Sequence, residues 1–429
     1  MQSWRRFILG CTLGNILEWY DFILYGFFAT ILAQHFFPHH DHFVSLLIVF
    51  SIFASGCVMR PIGSLLFGHV GDRYGRKRSL IITIVIITLA TTCMGLLPTY
   101  QQVGVLAPIL LTVCRLAQGL AVSGEEVGAG IFLTENAPKH ERCYASSIIL
   151  GSVYVGLLIG SLTAFLVTII FTKSAVAAWA WRIPFLLASV YGVIAFYLRY
   201  RDFESPRFAL SQAENKLHHA PIKKVFMRYK REVLSTTLLC FVFAVAIYLF
   251  AVYLPSFFNG KAGYSMKITL LISSSSLLLM SILVPLVGKL ADKVGAARLY
   301  MVGCLGFLVM AYPIFYLLSF GGLSNVILSE ILLCVLLALL AGSIFPLLIK
   351  NFPVNVRYTG VGIAFNLAMT IFGSVAPIVA ITLIRLTGSS TAPFWYLLIA
   401  AVISLLALPR YLGSNNSVEV DPQTEEILN

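Results

Sequence analysis

Gly68-His69-Val70-Gly71-Asp72-Arg73-Tyr74-Gly75-Arg76-Lys77-Arg78 returns 220 positions later as Gly288-Lys289-Leu290-Ala291-Asp292-Lys293-Val294-Gly295-Ala296-Ala297-Arg298, with Gly, Asp, Gly and Arg at the same offsets. Both copies close one long apolar stretch and open another, so each reads as a tight turn between two helices. Gly75 and Gly295 can take a positive φ, and Asp72 and Asp292 can accept from helix N-terminal amides or pair with basic neighbours. The simpler reading is a polar turn carrying basic topology markers. Recurrence at equivalent places makes the chain two copies of one helical unit, with Asp72, Arg73, Gly75, Arg76, Asp292 and Gly295 expected at a gate or hinge that does not touch substrate.

Working outward, the composition is 59% hydrophobic and 11% charged, with a mean hydropathy of +0.89. A soluble globular chain carries about 25% charged residues. An all-α integral membrane protein is therefore expected, and a hydrocarbon core of about 30 Å needs about 20 helical residues per crossing. Twelve such stretches are predicted, over 7–33, 43–70, 79–98, 104–134, 146–171, 180–200, 232–259, 267–290, 298–319, 324–350, 358–386 and 390–413. The hydrophilic segment between the sixth and seventh divides them equally. The expected organisation is a six-helix bundle over 1–200, a cytoplasmic linker over 201–231, a second six-helix bundle over 232–413, and a short acidic tail over 414–429.

Short loops rich in Lys and Arg stay cytoplasmic. Arg5, Arg6, Arg73, Arg76, Lys77, Arg78, Lys139, Arg142, the linker, Lys293, Arg298 and Arg357 fall on one side, against Lys173, Lys261, Lys267 and Arg385 on the other. Both termini are expected in the cytoplasm. The net charge of +12 is spread over alternate loops, which argues against a nucleic-acid partner. The first apolar stretch is too long and too acidic for a cleaved signal. The eight cysteines lie almost all within spans without a CxxC pair, so neither a disulfide framework nor a zinc site is expected. No nucleophile–base pairing, phosphate loop or metal motif points to an enzyme, and no cofactor is expected.

Charged side chains at the centre of a membrane helix cost roughly 2.5–3.5 kcal/mol each on insertion scales, so those retained there usually handle substrate, ions or protons. Asn15, Glu18, Asp21 and Tyr25 recur at spacings of three, three and four in the first span, which places them on one helical face. Glu18 and Asp21 fall near mid-depth. Either can carry a proton, and either can be the fixed partner of an arginine. Arg115, in the fourth span, reaches similar depth with Gln118 beside it. A guanidinium binds carboxylates bidentately, so Arg115 is read both as a substrate anchor and as a bridge to Glu18 or Asp21. Glu125 and Glu126 lie about 15 Å nearer the cytoplasm. Glu125 is expected to pair with Arg60 or the Asp72–Arg78 turn in an inward gate, and Glu126, one step round the helix, is left facing elsewhere.

Weaker signals are the cluster His35, His39, His40, Asp41 and His42, which reads as a solvated outer loop, and Gly10-xxx-Gly14, Gly124-xxx-Gly128 and Gly156-xxx-Gly160, which permit close helix approach. Tyr154, Tyr248, Tyr253, Tyr316 and Asn366 are candidates for a cavity wall, and Glu330 is unassigned.

The chain resembles the major facilitator superfamily, whose signature turn after helices 2 and 8 has the form of 68–78 and 288–298. Within it, the chain is similar to the metabolite:proton symporter family of proline/betaine, α-ketoglutarate, citrate and shikimate carriers. The residues that carry this are Gly14 to Phe22 with Tyr25-Gly26, Arg60-Pro61-Ile62-Gly63 with Phe67-Gly68, and Arg115-Leu116-Ala117-Gln118-Gly119 with Gly124-Glu125. Further on they are Trp179 to Phe185, Glu204-Ser205-Pro206, and Phe352-Pro353 with Arg357 to Gly360, Asn366 and Pro377. The departures are Glu126 where the family commonly has an aromatic, Cys143 in place of Gly, and no heptad pattern in the tail. The resemblance implies a major facilitator fold of two pseudo-symmetric bundles and proton-coupled uptake of a small carboxylate-bearing metabolite, a zwitterion or an organic acid, by alternating access in a bacterial-type cytoplasmic membrane. Arg115, Gln118, Asn15, Tyr25 and Asn366 would contact substrate; Glu18 and Asp21 would handle the proton. Substrate, proton and lipid are the expected partners of a monomer. A proton-linked efflux antiporter of the same fold, and more remotely a non-transporting sensor, are the alternatives.

Overall fold

The computed structural model describes residues 2–38, 42–200, 221–260, 264 and 266–412. Most of the predicted linker, the tail, and His39, His40 and Asp41 lie outside the described residues. The described chain is helical throughout. The first six spans are α1 (Gln2–Phe27), α2 (His42–Tyr74), α3 (Arg76–Leu96), α4 (Leu106–Asn136), α5 (Arg142–Ile170) and α6 (Arg182–Tyr200). The other six are α7 (Lys230–Tyr253), α8 (Met266–Val294), α9 (Ala296–Phe320), α10 (Leu323–Lys350), α11 (Val354–Thr387) and α12 (Phe394–Tyr411). Eleven of these are long and apolar enough to cross a bilayer, and α1 with the helix Ala29–Phe36 makes the twelfth, bent by 66°. Gly26, beside that bend, leaves one side of the helix bare, a common setting for a kink.

Packing repeats between the halves. In the first, α1 lies on α5, α2 on α4, α3 on α6; in the second, α7 lies on α11, α8 on α10, α9 on α12. Two seams join the bundles, α5 against α8 and α2 against α11. Exposed leucines, isoleucines and valines ring the outside, among them Leu89, Val193, Ile282 and Leu406. That is the inverse of a soluble protein and the pattern lipid requires. The twelve-helix, two-bundle prediction therefore stands, with span ends shifted by several residues.

The helices are less regular than the predicted spans. π-helical turns interrupt α7 at Leu249–Tyr253 and α11 at Met369–Gly373. Phe241 stacks on Phe372 with ring centroids 3.8 Å apart. A Cβ at Gly373 would lie 2.7 Å from the Tyr248 ring, so this contact needs glycine.

Candidate functional site

The common face of α1 diverges once its neighbours are in place. Asn15 donates to the Ile149 carbonyl at 2.8 Å and to Ser152 Oγ at 2.9 Å. It ties α1 to α5 and is not part of the cleft wall, which corrects its assignment as a substrate ligand. Asn366 likewise donates to Ser123 O (3.2 Å) and Gly362 O (2.9 Å), joining α11 to α4. Amides are well suited to this, because a helix carbonyl in a dry interior still has an unused lone pair.

Glu18 and Asp21 do reach a cleft, together with Phe22, Cys57, Arg60, Arg115 and Gln118; it holds about 340 Å³ of non-atom space, mouth included. Arg115 Nη1 lies 3.2 Å from Asp21 Oδ2 and donates to Gln118 Oε1 at 2.9 Å, while Gln118 Nε2 donates to Thr91 Oγ1 at 2.9 Å. The guanidinium lies beside two neighbouring rings, Phe53 (4.5 Å to the centroid) and Tyr25 (4.6 Å). Tyr25 is in turn fixed by a hydrogen bond to Val49 O at 3.0 Å. Contact with two rings favours the delocalised arginine cation over lysine. Among the described residues, Asp21 Oδ1 and Arg115 Nε have no hydrogen-bond partner, so each retains capacity for a ligand.

Arg60 overturns a second expectation. It does not pair with Glu125 in a gate layer; it lines the same cleft as Arg115, with its guanidinium 5.7 Å from the Trp19 ring. Its electrostatic neighbours are Glu18, Glu126 and Tyr248. An aromatic path of Trp19, Phe22, Phe53 and Tyr25, with centroids 4.8–5.7 Å apart, leads from Arg60 to Arg115. Around Arg60 the unpartnered buried polar atoms converge: both carboxylate oxygens of Glu18, Trp19 Nε1, Arg60 Nη1, and the hydroxyls of Tyr154 on α5 and Tyr248 on α7. Buried polar atoms are normally paired. Both bundles contribute to this concentration, Tyr248 from the second.

Glu125 is taken by a different partner. Arg199, in the last turn of α6, donates to both of its oxygens, and Thr83 donates at 2.9 Å. Arg199 also donates to Gly10 O (2.9 Å), Leu80 O (3.0 Å) and Cys11 O (3.1 Å). This fully hydrogen-bonded pair clamps α1, α3, α4 and α6 together. Gly14 is what lets it in, since a Cβ there would collide with both side chains.

The two repeated turns lie where the seams close. Asp72 bonds Arg76 at 2.7 Å and crosses to the other bundle, accepting from Tyr358 N (3.2 Å), Thr359 N (2.9 Å) and Thr359 Oγ1 (2.7 Å) at the start of α11. Asp292 crosses the opposite way, accepting from Cys143 N (2.8 Å) and Tyr144 N (2.9 Å) at the start of α5. Each acid thus caps a helix of the partner bundle, satisfying amides that the helix itself cannot. Gly75 and Gly295 have φ of 111° and 103°, as the turn requires. Arg76 further donates to Gly71 O (2.8 Å) and Val354 O (2.9 Å) and faces Glu135 at 3.7 Å, and Glu135 bonds Arg357 at 2.8 Å. Glu135 and Arg357 were absent from the expected gate. Arg73, which was included, is exposed and stacks on Tyr74.

Two helical bundles with matched internal packing, an ion-lined cleft walled by α1, α2 and α4 of the first bundle, and reciprocal caps closing one end define a membrane carrier of the alternating-access type. The chain belongs to the major facilitator superfamily, whose family model matches residues 11–377. It is 33% identical over 411 residues to a proline/betaine transporter of Escherichia coli strain K12, covering 94% of this chain and 82% of that one. It is 32% identical over 410 residues to a citrate-proton symporter of Klebsiella pneumoniae, covering 93% and 90%. In fold it is similar to the proton:xylose symporter XylE bound to 6-bromo-6-deoxy-D-glucose, with a TM-score of 0.79 at 18% identity over 95% of each chain.

Proposed function

We propose that this transporter is a proton-coupled importer of a small zwitterion bearing one carboxylate, of the proline or betaine type. The two bundles, 1–200 and 232–413, rock about the cleft, the termini and repeated turns face the cytoplasm, and one chain is the working unit. The observation that carries this reading is the cleft's charge: among its lining residues the guanidinium groups of Arg60 and Arg115 are matched by two carboxylates, Glu18 and Asp21. Such a site has no surplus cation for a tricarboxylate. A single substrate carboxylate can share Arg115 with Asp21, using the open Nε edge, while a cationic end meets the faces of Trp19, Tyr154 and Tyr248. Glu18, with neither oxygen hydrogen-bonded, is the acid that takes and releases the proton as the cleft alternates between dry and wet.

Both the citrate-proton symporter and the proline/betaine transporter are relatives at similar identity, so charge complementarity is what separates the two substrate classes. The test is uptake of labelled glycine betaine, L-proline and citrate into proteoliposomes with an acidic exterior. A zwitterion should accumulate and the accumulation should stop with an uncoupler. Preferential accumulation of citrate would overturn the substrate class, and indifference to the pH gradient would overturn proton coupling.

A further inference from the structure

We propose a second ligand site, for a monovalent alkali cation, between α8 and α10 of the second bundle, built from the Glu330 carboxylate and the hydroxyls of Thr269, Ser273 and Ser276. It lies apart from the cleft, whose lining comes from the first bundle, and it stands whether or not the symport reading does. Glu330, unassigned from the sequence, is seven residues beyond Leu323 at the start of α10. That is about 10 Å along the helix, at the end of the bundle away from the repeated turns. Glu330 is 4% exposed. Its side chain bonds Ser276 of α8, and among the described residues its Oε2 has no partner and no basic side chain is paired with it.

The neighbouring helix supplies the remaining oxygens. Cys334, one turn beyond Glu330, donates to Ser276 O at 3.8 Å, and a Cβ on Gly342 would lie 2.8 Å from Gly288 N, so α8 and α10 run side by side in the same direction. One turn back from the Cys334–Ser276 contact, Glu330 stands level with residues 269–273. Thr269, Ser273 and Ser276 follow at spacings of four and three, hence on one helical face. That face is turned from lipid, since Leu271, Leu278 and Ile282 occupy the exposed one. A serine or threonine hydroxyl inside a helix can return its O–H to a carbonyl three or four residues back, as Ser275 and Ser281 do to Leu271 and Leu278. Those of Thr269 and Ser273 do not: among the described residues neither has a partner. An ionised carboxylate out of water is strongly disfavoured without a counter-charge. A proton would neutralise Glu330 alone and leave both hydroxyls unused. A cation of one charge matches the single carboxylate, and a hard cation takes oxygen ligands, so it engages the hydroxyls as well and ties α8 to α10.

The test is thermal unfolding of the full chain, purified in detergent, in sodium, potassium or choline chloride at equal ionic strength and over a series of pH values. Sodium or potassium should raise the melting temperature above its value in choline chloride, as a ligand of the folded state does. The rise should shrink as the pH falls, because proton and metal compete for one carboxylate. Glu330→Gln should abolish the rise, and Ser273→Ala should need more salt to reach it; the second variant loses a single hydroxyl and decides the matter if the first does not fold. Equal melting of wild type in all three salts would overturn the site. A rise kept undiminished by both variants would overturn it too, by placing the cation elsewhere. Stabilisation by acid alone, with no difference between salts, would mean that Glu330 holds only a proton, and again the site would fall. None of these results bears on accumulation of zwitterions or citrate in proteoliposomes, which tests the symport reading by itself.

Discussion

At the scale of single residues, Arg115 and Glu125 show two uses of a buried ion pair. Arg115 and Asp21 keep unpartnered edges towards the cleft, whereas Glu125 and Arg199 spend all their contacts on holding four helices. Arg115→Ala should abolish uptake and also lower thermal stability, since removing one partner of a buried pair costs about 3–5 kcal/mol. Adding Asp21→Ala should recover the stability but not the uptake, which separates binding from folding in a thermal-unfolding and transport assay. Arg115→Lys should remain folded and transport poorly, because an ammonium lacks the Nε edge that Arg115 leaves open beside its contacts to Asp21 and Gln118. Glu125→Ala should lower the melting temperature steeply through the stranded Arg199. Much of this was readable in the sequence. Spacing placed Glu18 and Asp21 on one face, and residue counting placed Arg115 level with them. Counting gives depth and not direction round the helix, and for that reason Glu125 was paired with Arg60 when the two face different neighbours. Arg199 carried no signal of its own in the sequence, since it closes a predicted span next to a basic linker.

Among the helices, the starts of α5 and α11 are the telling elements, since each begins with amides bonded by an acid from the opposite bundle. Asp72→Asn keeps the shape and weakens charge-assisted acceptors to three donors at once. It should shift the carrier towards opening at the repeated turns, seen as faster labelling of a single cysteine introduced at Ser79, which is buried when they are closed. Gly75→Ala should cost about 1–3 kcal/mol, because its positive φ with extended ψ is a region essentially confined to glycine, and the same substitution at Gly295 should behave alike. The turns themselves could be recognised from their repeated letters. Their partners could not, because Tyr358, Thr359, Cys143 and Tyr144 are ordinary helix-starting residues until the two halves are brought together. The π-turns of α7 and α11 were equally hidden, as periodicity scarcely changes when one residue is inserted in a uniformly apolar helix.

On the scale of the whole molecule, transport needs the α5–α8 and α2–α11 seams to part and re-form. Ser147 of α5 packs so closely on Gly288 of α8 that a Cβ there would lie 2.5 Å from Ser147 Cβ, so Gly288→Ala should hold this seam apart and lower uptake; unchanged uptake would mean that transport does not need this seam to close. The two closures are matched in topology but not in strength. Beside Asp72 stand Arg76, Glu135 and Arg357, an interlocked set of charges. The corresponding places beside Asp292 hold Ala296, Lys350 and Arg142, and Lys350 is exposed. Two-fold ancestry has therefore ended in a door with one bolted leaf and one on the latch.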